Sequence, residues 1–329
     1  MTLARAAWVV AAAVLLIALP WIIVNEFYIN MASQVLIYAL LALSLNVMLG
    51  YGGMVSLGHA AYVGIAGYTA VLAVIAGYDH LTAAIIAVAI STVSAGIFGI
   101  LSLRAPGLGF IMITLALGQI VWGIAYRAND LTGGDNGIRY PERPHPFGFD
   151  IRDATSFYFF TLIVFLIALF FIWRFSRSPF GASLMGTRDQ PRRMRMLGHN
   201  VWLVRWVSFV MAGFWGSIAG VLYIYYNLFL SPHAISLQQS AEVLLMAILG
   251  GATSLTGPIV GAAVITLIKN VVSTYVERWN TLLGLIFVFV IIFMPYGLVP
   301  GFKQLWIRWS TRKTPRGKTD SAATPETAA

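Results

Sequence analysis

The chain has 329 residues, of which 59% are hydrophobic and only 10% charged, with a formal net charge of +9 and no cysteine. Soluble domains carry about 25% charged residues, so this composition describes a polytopic membrane protein. Without cysteine there are no disulfides, thiol nucleophiles or cysteine-ligated metal sites, and basic residues gathered into two segments point to topology and lipid headgroups rather than to nucleic acid.

Crossing a bilayer takes about 20 apolar residues. The candidate runs, in chain order, are 6–24, 31–50, 58–77, 82–103, 107–126, 157–173, 205–226, 238–252, 258–276 and 281–300. The first follows Arg5 and offers no small-residue cleavage site around Pro20-Trp21-Ile22-Ile23, so it reads as an uncleaved span. The eighth is short, and is either a stubby or a re-entrant helix. Segment 127–156 carries four arginines and five acids, a balance suited to the extracytoplasmic face, and Thr132–Gly137 reads as a tight polar turn.

Between spans six and seven lies a strongly basic loop, 174–205, with seven arginines and one acid, Asp189. The positive-inside bias holds such a loop on the cytoplasmic side, and the tail, with six Lys/Arg between Lys303 and Lys318, belongs there too. Crossing parity then gives ten spans with both termini cytoplasmic. The loop also carries folding signals. Ser178-Pro179 reads as an N-cap and first helical residue, and Gly181 keeps the corner tight. Pro191 opens a second short helix, 191–197, stopped at Gly198. Met194 and Leu197, ringed by Arg192, Arg193 and Arg195, would present a small apolar docking face; headgroup binding alone is the rival reading.

Two glycine-interrupted segments resemble each other. Gly52-Gly53-Met54-Val55-Ser56-Leu57 and Gly250-Gly251-Ala252-Thr253-Ser254-Leu255 share the pattern G-G-x-x-S-L, 198 residues apart. With five spans on each side of segment 127–156, this reads as an internal duplication. The expected fold is therefore all-α integral membrane, about ten transmembrane helices in two related five-helix halves, 1–126 and 157–303, with short or Gly-broken helices. The tail 304–329 reads as disordered and cytoplasmic. Broken backbone at matching positions of two halves points to a transport pathway, since it is tolerated at membrane depth only around cavities or inside protein. Close helix packing is the alternative, and Gly216-x-x-x-Gly220 and Gly257-x-x-x-Gly261 fit that use.

Glu242 and Lys269 are the acid and base well inside the spans, and His59 sits near a span end. Glu242 reads as a pathway, interfacial or pairing residue, Lys269 as a snorkelling one, and His59 as structural or functional. Asn46 and Gln119 are mid-span amides suited to a pathway or to interhelical bonding. Together with Ser56 and Ser254 these give the candidate pathway set Asn46, Ser56, His59, Gln119, Glu242 and Ser254. There is no phosphate-binding loop, zinc-protease motif or nucleophile elbow, and no chain of intramembrane proton-relay residues. The chain is read as no enzyme and as needing no cofactor, with energy supplied by a partner at the basic loop. A self-sufficient secondary transporter is the reading from another class.

The segments ALSLNVMLGYGGMVSLGHAAYVGIAGY (42–68), GLGFIMITLALGQI (107–120), LTGGDNGI (131–138), SPFGASLMGTRDQPRRMRMLGHNV (178–201) and ILGGATSLTGPIVGAAV (248–264) resemble one family in particular. It is the LivM-type permease subunit of ABC importers for branched-chain, hydrophobic amino acids, and the likeness runs from about residue 36 to 301. The resemblance implies alternating access driven by ATP, in the bacterial inner membrane. Implied partners are a LivH-type second permease, two cytoplasmic ATP-binding subunits, a periplasmic substrate-binding protein and the membrane lipid. It implies that loop 174–205 is the ATPase-coupling region, and maps that role onto Gly181, Arg188, Asp189, Arg192, Arg193 and Gly198. Many members carry a glutamate where this chain has Gln190–Met196; here there is none. Relatives in the broader family move urea or short amides, which stand as alternative substrates.

Overall fold

The first long helix, α1 (Glu26–Asn46), does not stop where its α-helical bonding ends but widens into a π turn at Val47–Tyr51. Asn25 starts it by accepting from the Phe27 N–H at 3.0 Å, the cap that satisfies an otherwise orphaned donor. This computed structural model describes residues 16–21, 25–141 and 153–272, with scattered positions between 281 and 301. Most of expected span 6–24 and of span 281–300, and the whole tail 304–329, lie outside the described residues.

The other main helices follow the apolar runs, except two short ones in the basic loop 174–205. They are α2 (Ala60–Ile75), α3 (His80–Ser102), α4 (Leu108–Arg127), α5 (Ala154–Ser176), α6 (Pro179–Asp189), α7 (Pro191–Met196), α8 (Val201–Asn227), α9 (Leu237–Gly250) and α10 (Gly257–Val272). Among the described residues, α1 with its π turn, α3, α4, α5 and α8 are long and apolar enough to cross a membrane, while α2, α9 and α10 are shorter. Glycine breaks explain the shortness: α2 begins beyond Gly52-Gly53 and Gly58, and α9 ends at Gly250 with Gly251 at φ +110. Polar side chains cap three of the starts. Asp79, Asn200 and Ser236 each accept a backbone N–H, from Leu81, Leu203 and Gln239, at 3.1 to 3.2 Å.

The core is built around α1, which packs on α5, α8, α9 and α10, while α2 is held between α3 and α8. From Leu36 to its end α1 is buried, whereas α3 and α4 leave most of their surface facing outward. Small residues let the backbones close up. Gly220 lies against the Val63 backbone and Gly213 against Ala95, with no room for a β-carbon at either, the packing expected when lipid offers no hydrophobic drive between helices.

At the end of the bundle opposite α6 and α7, Ile138–Arg139 and Phe229–Leu230 pair as a two-stranded antiparallel ribbon. Tyr140 stacks on His80 and its hydroxyl meets the His80 Nδ1 at 2.9 Å. The preceding turn needs glycine: Gly133, Gly134 and Gly137 all have φ between 59° and 71°, a region L-residues with a β-carbon avoid.

Candidate functional site

The basic hairpin is folded, and its two faces differ. Ser178 caps α6 by accepting from the Gly181 N–H at 3.2 Å, with Pro179 at the first helical position. A side chain at Gly181 would strike the carbonyls of Phe175 and Ser176, so the corner requires glycine. Gln190 forms the turn into α7, and Gly198, at φ +83, ends it. Asp189 does not cap α7; its carboxylate accepts from the Arg188 Nε at 2.8 Å. The apolar face differs from the expected Met194–Leu197 pair. Met194 turns inward onto Gly186, and the exposed apolar tip is Met196 (88% exposed) with Leu197 (68%). Arg192, Arg193 and Arg195 are exposed around it.

The inner face of the hairpin reaches the membrane helices. Arg188 donates through Nη1 to the Gly50 carbonyl at 2.6 Å. Arg205, at the start of α8, donates to the Thr187 carbonyl at 2.9 Å. Gly50 belongs to the π turn, a rare irregularity that collects at functional sites.

Both glycine breaks meet at this point. The Gly50 backbone lies directly against the Ala252 carbonyl, leaving no space for a β-carbon. Asn46 donates through Nδ2 to the Ser254 carbonyl at 3.2 Å. Each break uses its serine alike: Ser56 Oγ accepts from Gly58 N–H at 3.3 Å, and Ser254 Oγ from Gly257 N–H at 2.9 Å. His59 is fully buried against Gly216, its Nε2 2.7 Å from the Ser44 hydroxyl. Of the candidate pathway residues, Ser56 and Ser254 thus belong to the two breaks, His59 to the turn that follows the first, and Asn46 to the helix end that precedes it.

The remaining two lie elsewhere. Glu242, almost wholly buried on α9, pairs with Lys269 of α10 at 3.0 Å; the lysine answers the acid rather than merely reaching for headgroups. Beside them the Asn270 amide donates to Gln34 at 2.9 Å. Gln119 faces outward from α4, lining an open pocket of about 360 Å³ with Trp122, Asp135, His233 and Gln238. A groove of about 650 Å³ between α3, α5 and α8 is lined almost wholly by apolar side chains such as Ile85, Val164 and Phe214; it lacks the convergent polar groups that orient a small polar ligand.

Comparison with known proteins decides the family. The family model described as "Branched-chain amino acid transport system / permease component" matches residues 27–294. The chain belongs to this permease family. Similar relatives are the high-affinity branched-chain amino acid transport system permease proteins LivM of Salmonella typhimurium and of Escherichia coli K12. The first is 27% identical over 313 residues, covering 88% of this chain and 74% of the relative. The second is 28% identical over 323 residues, covering 91% and 76%. A probable LivM protein of Methanocaldococcus jannaschii is 26% identical over 327 residues, covering 83% and 94%. No solved structure matches the chain significantly.

As a LivM-type permease the protein has contacts that single-residue reading missed. Ser240 accepts from the Ala60 N–H at 3.1 Å, tying α9 to the start of α2. Ser44 holds His59, and Gly50 carries the acceptor for Arg188. Each stands two residues from a position the sequence singles out, Ser44 from Asn46, Gly50 from Gly52 and Ser240 from Glu242, but a serine or glycine in an apolar helix gives no sign of its partner.

Proposed function

We propose that this permease forms half of the translocation pathway of an ATP-driven importer of branched-chain, hydrophobic amino acids, working by alternating access in the bacterial inner membrane. The chain would cross ten times with both termini cytoplasmic, in halves 1–126 and 157–303. Its partners would be a LivH-type permease, two ATP-binding subunits docked on the α6–α7 hairpin, and a periplasmic binding protein that delivers substrate. One observation carries this reading: the hairpin presents arginines and an apolar tip outward while its inner face bonds to the first glycine break through Arg188. A loop that only fixed topology would need no such inward contact. The Glu242–Lys269 pair supports it too, since an acid held in an ion pair is poorly suited to shuttle protons.

The test is reconstitution. The two permeases, with ATPase subunits and binding protein, are expected to import radiolabelled leucine into vesicles only when ATP is supplied on the hairpin side. Leucine flux by the permeases alone, at the same rate without ATPase subunits, would overturn the proposal in favour of a self-sufficient carrier.

A further inference from the structure

Arg188 stands in the last turn of α6, and its side chain turns away from the exposed arginines of α7. Its guanidinium is divided between two acceptors, Nε to Asp189 at 2.8 Å and Nη1 to the Gly50 carbonyl at 2.6 Å. Asp189 thereby fixes the plane of the fork and aims it. The stem of Arg188 crosses Gly53, its Cγ 2.6 Å from where a β-carbon would stand, and Gly53 is itself at φ +67.

The acceptor is distinctive. Where the helix widens, the carbonyls of Met48 and Leu49 are taken by the Met54 and Gly53 N–H groups at 2.9 and 3.0 Å. The Gly50 carbonyl is met by Arg188 instead. On its other side Gly50 touches the Ala252 carbonyl backbone to backbone, and Asn46, one turn back, holds Ser254. Backbone against backbone has little slack, because neither partner can relieve a displacement by changing rotamer.

We infer that Arg188 is a positioning residue that joins the cytoplasmic hairpin to both glycine breaks, so that a displacement of α6 moves the π turn and the 251–256 break as one unit. This rests on the proposal that the hairpin docks an ATPase. It divides the hairpin's labour: Arg192 and Arg193 face the motor, and Arg188 faces the gate.

The experiment uses the complete complex with its ATPase and binding-protein subunits, and reads ATP hydrolysed per leucine imported. In R188M this ratio is expected to rise about tenfold, the equivalent of losing one hydrogen bond from a charged donor, with the ATPase subunits still co-purifying. R188K, which restores a donor to the Gly50 carbonyl, is expected to recover most of the coupling. Should R188M fail to assemble, G53A takes its place, since its β-carbon displaces the Arg188 stem and leaves the hairpin sequence intact. An unchanged ratio, or uptake and hydrolysis falling in parallel, would overturn the inference. The docking reading is judged separately: R192E/R193E complexes that keep their ATPase and their uptake would sink it, whatever Arg188 does.

Discussion

Asn46 and Ser254 stand 208 positions apart, and the amide of the first donates to the carbonyl of the second at 3.2 Å. One belongs to the last α-helical turn of α1 and the other to the loop between α9 and α10, so a single side chain ties the helix leading into the first G-G-x-x-S-L segment to the second. The two breaks are neighbours in space. The donor side of the bond is buried on α1, where an unpaired amide would be costly.

Replacing Asn46 by Ala should therefore cost about 1–2 kcal/mol, the loss of a hydrogen bond plus the desolvation of its stranded acceptor. Unfolding of the purified permease in a detergent titration measures this directly. A midpoint unchanged from the parent would mean that the bridge contributes nothing.

Gly50 offers a sharper test, because its constraint is steric. An added β-carbon would meet the Ala252 carbonyl and the Asn46 amide oxygen, and the first, being backbone, cannot turn aside. Gly50→Ala is expected to push the breaks apart and abolish uptake, whereas Gly96→Ala meets Trp206 and Val210 at 3.7 and 3.9 Å and should be tolerated. Equal uptake by both variants would show that close approach at Gly50 is not required.

How far these relationships could be read from sequence depends on the kind of signal. Helices α3, α4, α5 and α8 follow from apolar runs, and the breaks from glycine pairs, because both are local. Facing is not local. Arg188 and Arg192 are equal in a charge count, yet one turns to Gly50 and the other to solvent, since that depends on how α6 lies against the π turn. The same reason sends Met194 inward and leaves Met196 at the tip. Glu242 and Lys269 were nearer to legible: they flank the 251–256 break, and folding the chain back there brings them together.

That pair yields the next prediction. Glu242 is buried and Lys269 partly so, at 3.0 Å. Removing one partner strands the other in apolar surroundings, which costs about 3–5 kcal/mol in buried pairs, while removing both is often neutral. Glu242→Gln and Lys269→Met should each lower the unfolding midpoint strongly, and the double variant should recover most of the loss. Losses that simply add in the double variant would argue that the two residues act independently.

Charge reversal on the outer face addresses the motor. Arg192 and Arg193 are exposed on α7, so Arg192→Glu with Arg193→Glu should leave the stability of the isolated permease within about 0.5 kcal/mol of the parent. In the complex the same change sets like against like wherever the ATPase groove is acidic, and like-charge juxtaposition costs several kcal/mol. ATPase subunits are then expected to dissociate during purification, and ATP-driven leucine uptake to fall with them. Raising the salt concentration should weaken docking of the parent complex toward that of the variant, because exposed charges are screened. Trimming the apolar tip by Met196→Ser and Leu197→Ser should loosen docking by a factor that does not change with salt, the arginines and their salt dependence being retained. A double reversal that keeps both its ATPase and its uptake would place the motor elsewhere on the chain.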